Sequence, residues 1–161
     1  MHRRKFIRNT LYISSGLFIS HSLIGCNSNV IQLNEIIGKS DEILTPFSKE
    51  GDDFFAYYIL TKQSFIHPKI KGNQVFIYCQ EGIIVGYTIK INGIEKIEDL
   101  SKRFSQQYGP QSLVFENDFG KEYEWKTNNK KIMLCFSKEN LKLPQNTYYS
   151  EALLSNNLLV F

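Results

Sequence analysis

The chain has 161 residues, 42% hydrophobic and 22% charged, with a formal net charge of +3. Four of its 19 basic residues lie within the first eight positions, leaving 15 against 16 acidic residues in the remainder. A nearly neutral body has no compositional basis for nucleic-acid binding, and a lone histidine beyond residue 25, His67, excludes a two-histidine metal site there.

The first 25 residues read as a targeting segment rather than part of a fold. Arg3, Arg4, Lys5 and Arg8 make a basic head, and residues 10–25 carry no charge. That stretch is shorter and richer in Ser than the roughly 20 apolar residues a membrane span needs. It ends in Leu23-Ile24-Gly25-Cys26, which resembles the bacterial lipoprotein box. The resemblance implies diacylglycerol on the Cys26 sulfur, cleavage before Cys26 and acylation of the new amino group. It implies a cell-envelope protein held to the membrane by its lipid and facing the periplasm. Arg3, Arg4 and Phe6 also match the twin-arginine export motif, which this head resembles, while Ile7 and Arg8 depart conservatively and His2 outright. Asn27 resembles the residue that follows the cysteine in lipoproteins sent to the outer rather than the inner membrane, where a cell has two.

Residues 26–32 are then the lipidated cysteine and a short tether, and residues 33–161 one domain large enough for a single core. Leu33, Ile36 and Ile37 have helical spacing up to Gly38. Ser40 is placed to cap a further turn opened by Asp41 and Glu42 and limited by Pro46. Residues 54–60, FFAYYIL, predict a buried strand. QVFIYC and IIVGYTIKI flank Gln80-Glu81-Gly82 and predict a hairpin. Ile97, Leu100, Phe104 and Tyr108 line one face of the clearest helix, which Gly109 and Pro110 end. QSLVFEN, KEYEWKT and KKIMLCF follow as strands, turning at Asp118-Phe119-Gly120 and Asn128-Asn129. The tail predicts an irregular return with a short helix over residues 150–154.

The order predicts an α+β fold: an antiparallel sheet with two main helices packed on one face, arranged as tandem α-β-β-β halves. Ile37-Gly38-Lys39-Ser40-Asp41-Glu42-Ile43-Leu44, Tyr108-Gly109-Pro110 and Tyr123-Glu124-Trp125 resemble motifs of small bacterial lipoproteins with a fold like the β-lactamase inhibitor protein. The outer-membrane-assembly lipoproteins belong to that group. The resemblance implies a binding or scaffold role, with another envelope protein as partner, and no cofactor.

No phosphate-binding glycine loop and no metal-ligand cluster occurs in the sequence. Cys79 and Cys135 are candidates for one disulfide, or for two buried core residues, and folding in a reducing cytoplasm before export weakens the disulfide. A nucleophilic cysteine would need His67, which sits before Pro68 as an expected exposed loop residue. Asp52 with Asp53, and Glu122 with Glu124, are the carboxylate pairs; both are expected to face water. The aromatics of the strands, Tyr57, Tyr58 and Tyr87 among them, are candidates for a binding surface. The reading is of a non-enzymatic binding or scaffold module. The alternative is an envelope hydrolase using Cys or paired carboxylates, and the two differ in whether such groups converge in a cleft.

Overall fold

The computed structural model describes residues 30–91, 97–138 and 146–154. Arg3, Arg4, Phe6 and the box Leu23, Ile24, Gly25 and Cys26 lie outside the described residues.

β1 (Ile31–Gln32) leads into two single turns of 3-10 helix, Leu33–Glu35 and Asp41–Leu44. Then come β2 (Lys49–Gly51), β3 (Phe55–Thr61), β4 (Phe65–Ile66), β5 (Gln74–Gln80) and β6 (Ile83–Ile91). α1 (Ile97–Tyr108) precedes β7 (Ser112–Glu116), β8 (Gly120–Lys126), β9 (Lys130–Ser137) and β10 (Thr147–Leu153). β1 and β4 form a small parallel pair, and the other eight strands form one antiparallel sheet ordered β2-β3-β5-β6-β10-β9-β8-β7. Each half is a meander that runs from an outer edge inward, and the two last strands, β6 and β10, pair at the centre.

The expected antiparallel α+β sheet is present, with one α-helix among the described residues rather than two. The first helical segment closes only as 3-10 turns. Gly38, at φ 88°, and Pro46 interrupt it within a few residues of each other, so no run of i to i−4 bonds develops. Instead its backbone ties onto the β5–β6 turn, through Gly38 N to Ile84 O at 2.7 Å and Asp41 N to Gly82 O at 2.8 Å. Ser40 caps the second turn as expected, accepting from Glu42 N. The β5–β6 loop is two residues, Glu81 and Gly82, both at positive φ, the geometry whose twist matches a hairpin. α1 ends at Gly109, which sits at φ 91° and donates to Ser105 O.

The tail is the largest departure. Residues 147–153 form β10, hydrogen-bonded on both sides at the middle of the sheet, where a short helix over residues 150–154 is expected from sequence. Ser-Glu-Ala-Leu has no β preference of its own; two waiting neighbour strands override the local preference. The approach is close at Gly86, where a Cβ would lie 2.7 Å from Glu151 O. Only glycine fits there.

Alternation divides the sheet into two faces. One row of the covered face reads Tyr58, Ile77, Tyr87, Glu151, Ile132, Trp125 across six strands. Leu100 and Phe104 of α1 pack on its second half, and Leu33, Ile36, Leu44, Phe65 and Ile70 belong to the same core. Phe104 meets Trp125 edge-on at 5.5 Å and Tyr149 at 5.1 Å. Among the described residues no element packs on the opposite face.

Candidate functional site

The uncovered face is the candidate surface. Its central row reads Ile59, Phe76, Thr88, Ser150, Met133, Glu124. A groove of about 560 Å³ crosses it, with Tyr57, Ile59, Phe76, Tyr78 and Tyr148 as apolar walls and Lys90 as the cation. Thr88 and Ser150 are buried on the groove floor, their hydroxyls 2.9 Å apart, and the Tyr78 hydroxyl donates to Thr88 Oγ1. Phe55 stacks on Tyr78 with ring centres 6.5 Å apart. Tyr57 donates to Glu50 at 3.1 Å. Farther along, Phe115 on the outermost strand is 53% exposed. Rigid aromatic rings with hydroxyls at the rim lose little entropy on contact.

Of the three tyrosines singled out in the sequence, only Tyr57 stands on this surface. Tyr58 and Tyr87 are buried on the covered face, at 4% and 0% exposure. Neighbours in a strand point to opposite sides, so the Tyr57-Tyr58 pair was bound to split. Burial and the Asp41 carboxylate that accepts its hydrogen bond push the Tyr58 hydroxyl up to about 12. Phe76 and Tyr78, also among the strand aromatics that the sequence makes candidates, do line the groove. Tyr148 joins them from β10, where the sequence predicts an irregular return instead of a strand.

Cys79 and Cys135 are both free. Cys79 points into the core and Cys135 lines the groove, on opposite faces of the sheet. β5 and β9 are separated by two strands, β6 and β10, roughly 14 Å at ordinary strand spacing, so no bridge can close. Cys135 does meet a carboxylate, because Glu122 is its cross-strand partner. The encounter does not make a nucleophile: burial and the Glu122 charge push the thiol up to about 12, away from the thiolate. Burial likewise pushes Cys79 up to about 12.

The remaining carboxylates have structural partners. Asp52 Oδ1 accepts from Phe54 N and Phe55 N, which holds its pKa below the usual range. Asp53 is fully exposed, with Lys49 at 3.8 Å. Glu124 is buried, not solvated, and is clamped by Lys131 at 2.9 Å and Lys126 at 3.0 Å.

His67 is a further correction. Its side chain is 3% exposed. Nδ1 accepts from Lys69 N at 3.2 Å and Ile70 N at 3.0 Å, which leaves the ring proton on Nε2, 3.5 Å from Glu151 Oε1. Glu151, itself 7% exposed, also accepts from the Tyr149 hydroxyl at 2.6 Å and pairs with Lys130 at 3.2 Å. Burial pushes this carboxyl up, but the His67, Tyr149 and Lys130 contacts outweigh it and hold the carboxyl at about 2. The Tyr87 hydroxyl is buried beside it without a hydrogen bond of good geometry. This network fastens the β4–β5 connection to the central strand. Glu151 could not be found from sequence, since only the strand alternation of β10 turns it inward.

No family model, curated protein or solved structure matches this chain. Among the described residues no group of three or more His, Cys, Asp or Glu side chains is placed to hold a metal ion. No helix among them is long and apolar enough to cross a membrane.

Proposed function

We propose that the chain is a lipid-anchored cell-envelope protein, attached through Cys26, that acts as a non-catalytic protein-binding module through the uncovered face of its sheet. The observation that carries the reading is the aromatic groove on that face, built from Tyr57, Phe76, Tyr78 and Tyr148. Half-exposed aromatic rings over a rigid sheet are a recurrent composition of protein-binding surfaces. The anchor rests on the N-terminal residues: a basic head with Arg3, Arg4 and Phe6, an uncharged run, then Leu23, Ile24, Gly25 and Cys26. Two inward-running meanders joined at β6 and β10 support tandem halves and a likeness to small lipoproteins with a fold like the β-lactamase inhibitor protein. The hydrolase alternative has one observation in its favour, the Cys135–Glu122 contact, and the raised thiol weighs against it.

Two experiments test the reading. A photo-crosslinking residue at Ile59 or Phe76, in cells, is expected to yield one reproducible protein adduct, and the same residue at Lys39 none. Adducts from neither groove position would overturn the binding face. Cys26→Ser is expected to move the chain from the membrane to the soluble fraction; unchanged membrane association would overturn the anchor.

A further inference from the structure

The described residues begin at one corner of the sheet. Ile31 N donates to Ser64 O, and Ser64 N to Thr61 O, so residue 30 emerges beside the turn that follows β3. β1 pairs with β4 there, Gln32 against Ile66. From this placement, and resting on the anchor reading of Cys26, we propose that this corner docks on the anionic phospholipid surface that holds the anchor, with Ile66 entering the interface.

Three features carry it. The first is reach. Residue 30 follows Cys26 by four positions, which is at most about 15 Å of chain. β3 alone spans about 20 Å from Thr61 to Phe55. The tether therefore keeps the Thr61 corner at the bilayer, and the other ends of these strands touch it only if the sheet lies flat.

The second is the distribution of charge along the strands, which opposes lying flat. Thr61, Gln74 and Lys90 share one level at the tether end, with the exposed Lys62 and Lys71 just beyond it. No acidic residue occurs from position 54 to position 80. At the far end, the β2–β3 and β5–β6 turns carry Asp52, Asp53 and Glu81, all exposed, with Asp41 beside Gly82, against Lys39 and Lys49. Glu35 lies on the run between the two ends. An anionic surface attracts the lysines of one end and repels the carboxylates of the other, so it stands the strands on the tether end. In the second half of the sheet the tether end is mixed, Glu98 and Glu116 lying near Lys121 and Lys138. The contact is thereby confined to the corner where the tether enters.

The third is an outward apolar side chain at that corner. Phe65 is buried at 5% exposure, so strand alternation turns its neighbour Ile66 out, at 49%. Phe54, at 62%, is the competing apolar contact, but it stands at the acidic end beside Asp52 and Asp53.

The test uses the lipidated full-length chain, purified from membranes and floated with vesicles of phosphatidylethanolamine and phosphatidylglycerol brominated near the headgroup. Ile66→Trp, Gln63→Trp and Phe54→Trp are compared singly, with the native Trp125, 1% exposed, as the baseline and the thermal midpoint as the check on folding. Bromine is expected to quench about half of the added emission at positions 66 and 63, and almost none at position 54. Replacing phosphatidylglycerol by phosphatidylcholine is expected to weaken the quenching at position 66 about twofold. Quenching at position 54 equal to that at 66 overturns the orientation, and indifference to lipid charge overturns the anionic surface. A floated chain with no quenching at 63 or 66 overturns the docking and leaves the anchor standing. A chain that does not float overturns the anchor, and this inference with it.

Discussion

The two faces of the sheet are made from the same strands, yet they do different physical work. On the covered side, Tyr87, Tyr149 and Trp125 are shut away beneath α1 and the β4–β5 connection, and the one carboxylate among them, Glu151, has four polar neighbours. On the other side, Tyr57, Tyr78 and Tyr148 keep part of their rings in solvent around a floor of paired hydroxyls, Thr88 and Ser150. An aromatic side chain is therefore a core element or a contact element according to the parity of its position alone.

The largest break in this contrast is expected from the covered side. Trp125→Ala removes a ring 1% exposed, packed against Phe104 and Tyr123, and should cost about 3–5 kcal/mol in denaturant unfolding. A loss below about 1 kcal/mol would mean that α1 is not seated on β8 as described.

Acid comes next. The Glu151 carboxyl lies at about 2 in the fold, against an ordinary 4.5. A depressed carboxyl stabilises the fold fully above its unfolded value, so its contribution is present above about pH 4.5 and fades as pH falls toward 2. The difference corresponds to about 3 kcal/mol. Glu151→Gln should lower stability at neutral pH and flatten the unfolding profile between these limits. A profile as steep as that of the native chain would place the acid response elsewhere.

A smaller effect is expected at the central seam. Gly86→Ala places a Cβ 2.7 Å from Glu151 O and should cost about 1–3 kcal/mol in thermal or denaturant unfolding, because β6 and β10 must move apart. A neutral outcome would show that the seam has slack. The smallest stability effect sharpens the contrast from the other side. Ile59→Ser, at a position 39% exposed on the uncovered face, should change stability by less than about 1 kcal/mol and still weaken the adduct formed from a crosslinking residue at position 76. Loss of stability without loss of the adduct would make the uncovered face a second core surface instead of a docking one.

Much of the fold was legible along the chain because its signals are local. The α1 stripe of Leu100 and Phe104, with Gly109 behind it, follows from helical spacing and a left-handed cap. The strands β5 and β6 follow from alternation around a Gly-containing turn. The tail, His67 and the cysteines depart from the sequence reading for one reason: their determinants are distant in sequence. β10 is a strand because β6 and β9 lie on either side of it, not because Tyr-Tyr-Ser-Glu-Ala-Leu asks to be one. His67 is buried because that strand brings Glu151 beneath it. Cys135 cannot reach Cys79 because the two point to opposite sides of the sheet. The first helical segment is the local exception: Gly38 and Pro46 break it, and its freed backbone bonds to the β5–β6 turn and β6.

By itself, then, the sequence determined the sheet-rich class, the helix, and most of the strands and their turns; the proposed export and anchor segment rests on sequence alone. Propensity, periodicity and capping act over a few residues, and a linear reading contains them in full. Tertiary structure alone decided which side of the sheet is covered, and hence which parity of tyrosine is core, and that Glu151 turns inward beneath His67. Those outcomes depend on register and on pairing across more than 60 residues of chain, as between Thr88 and Ser150, 62 apart. The free energy of such contacts exists only once both partners are in place.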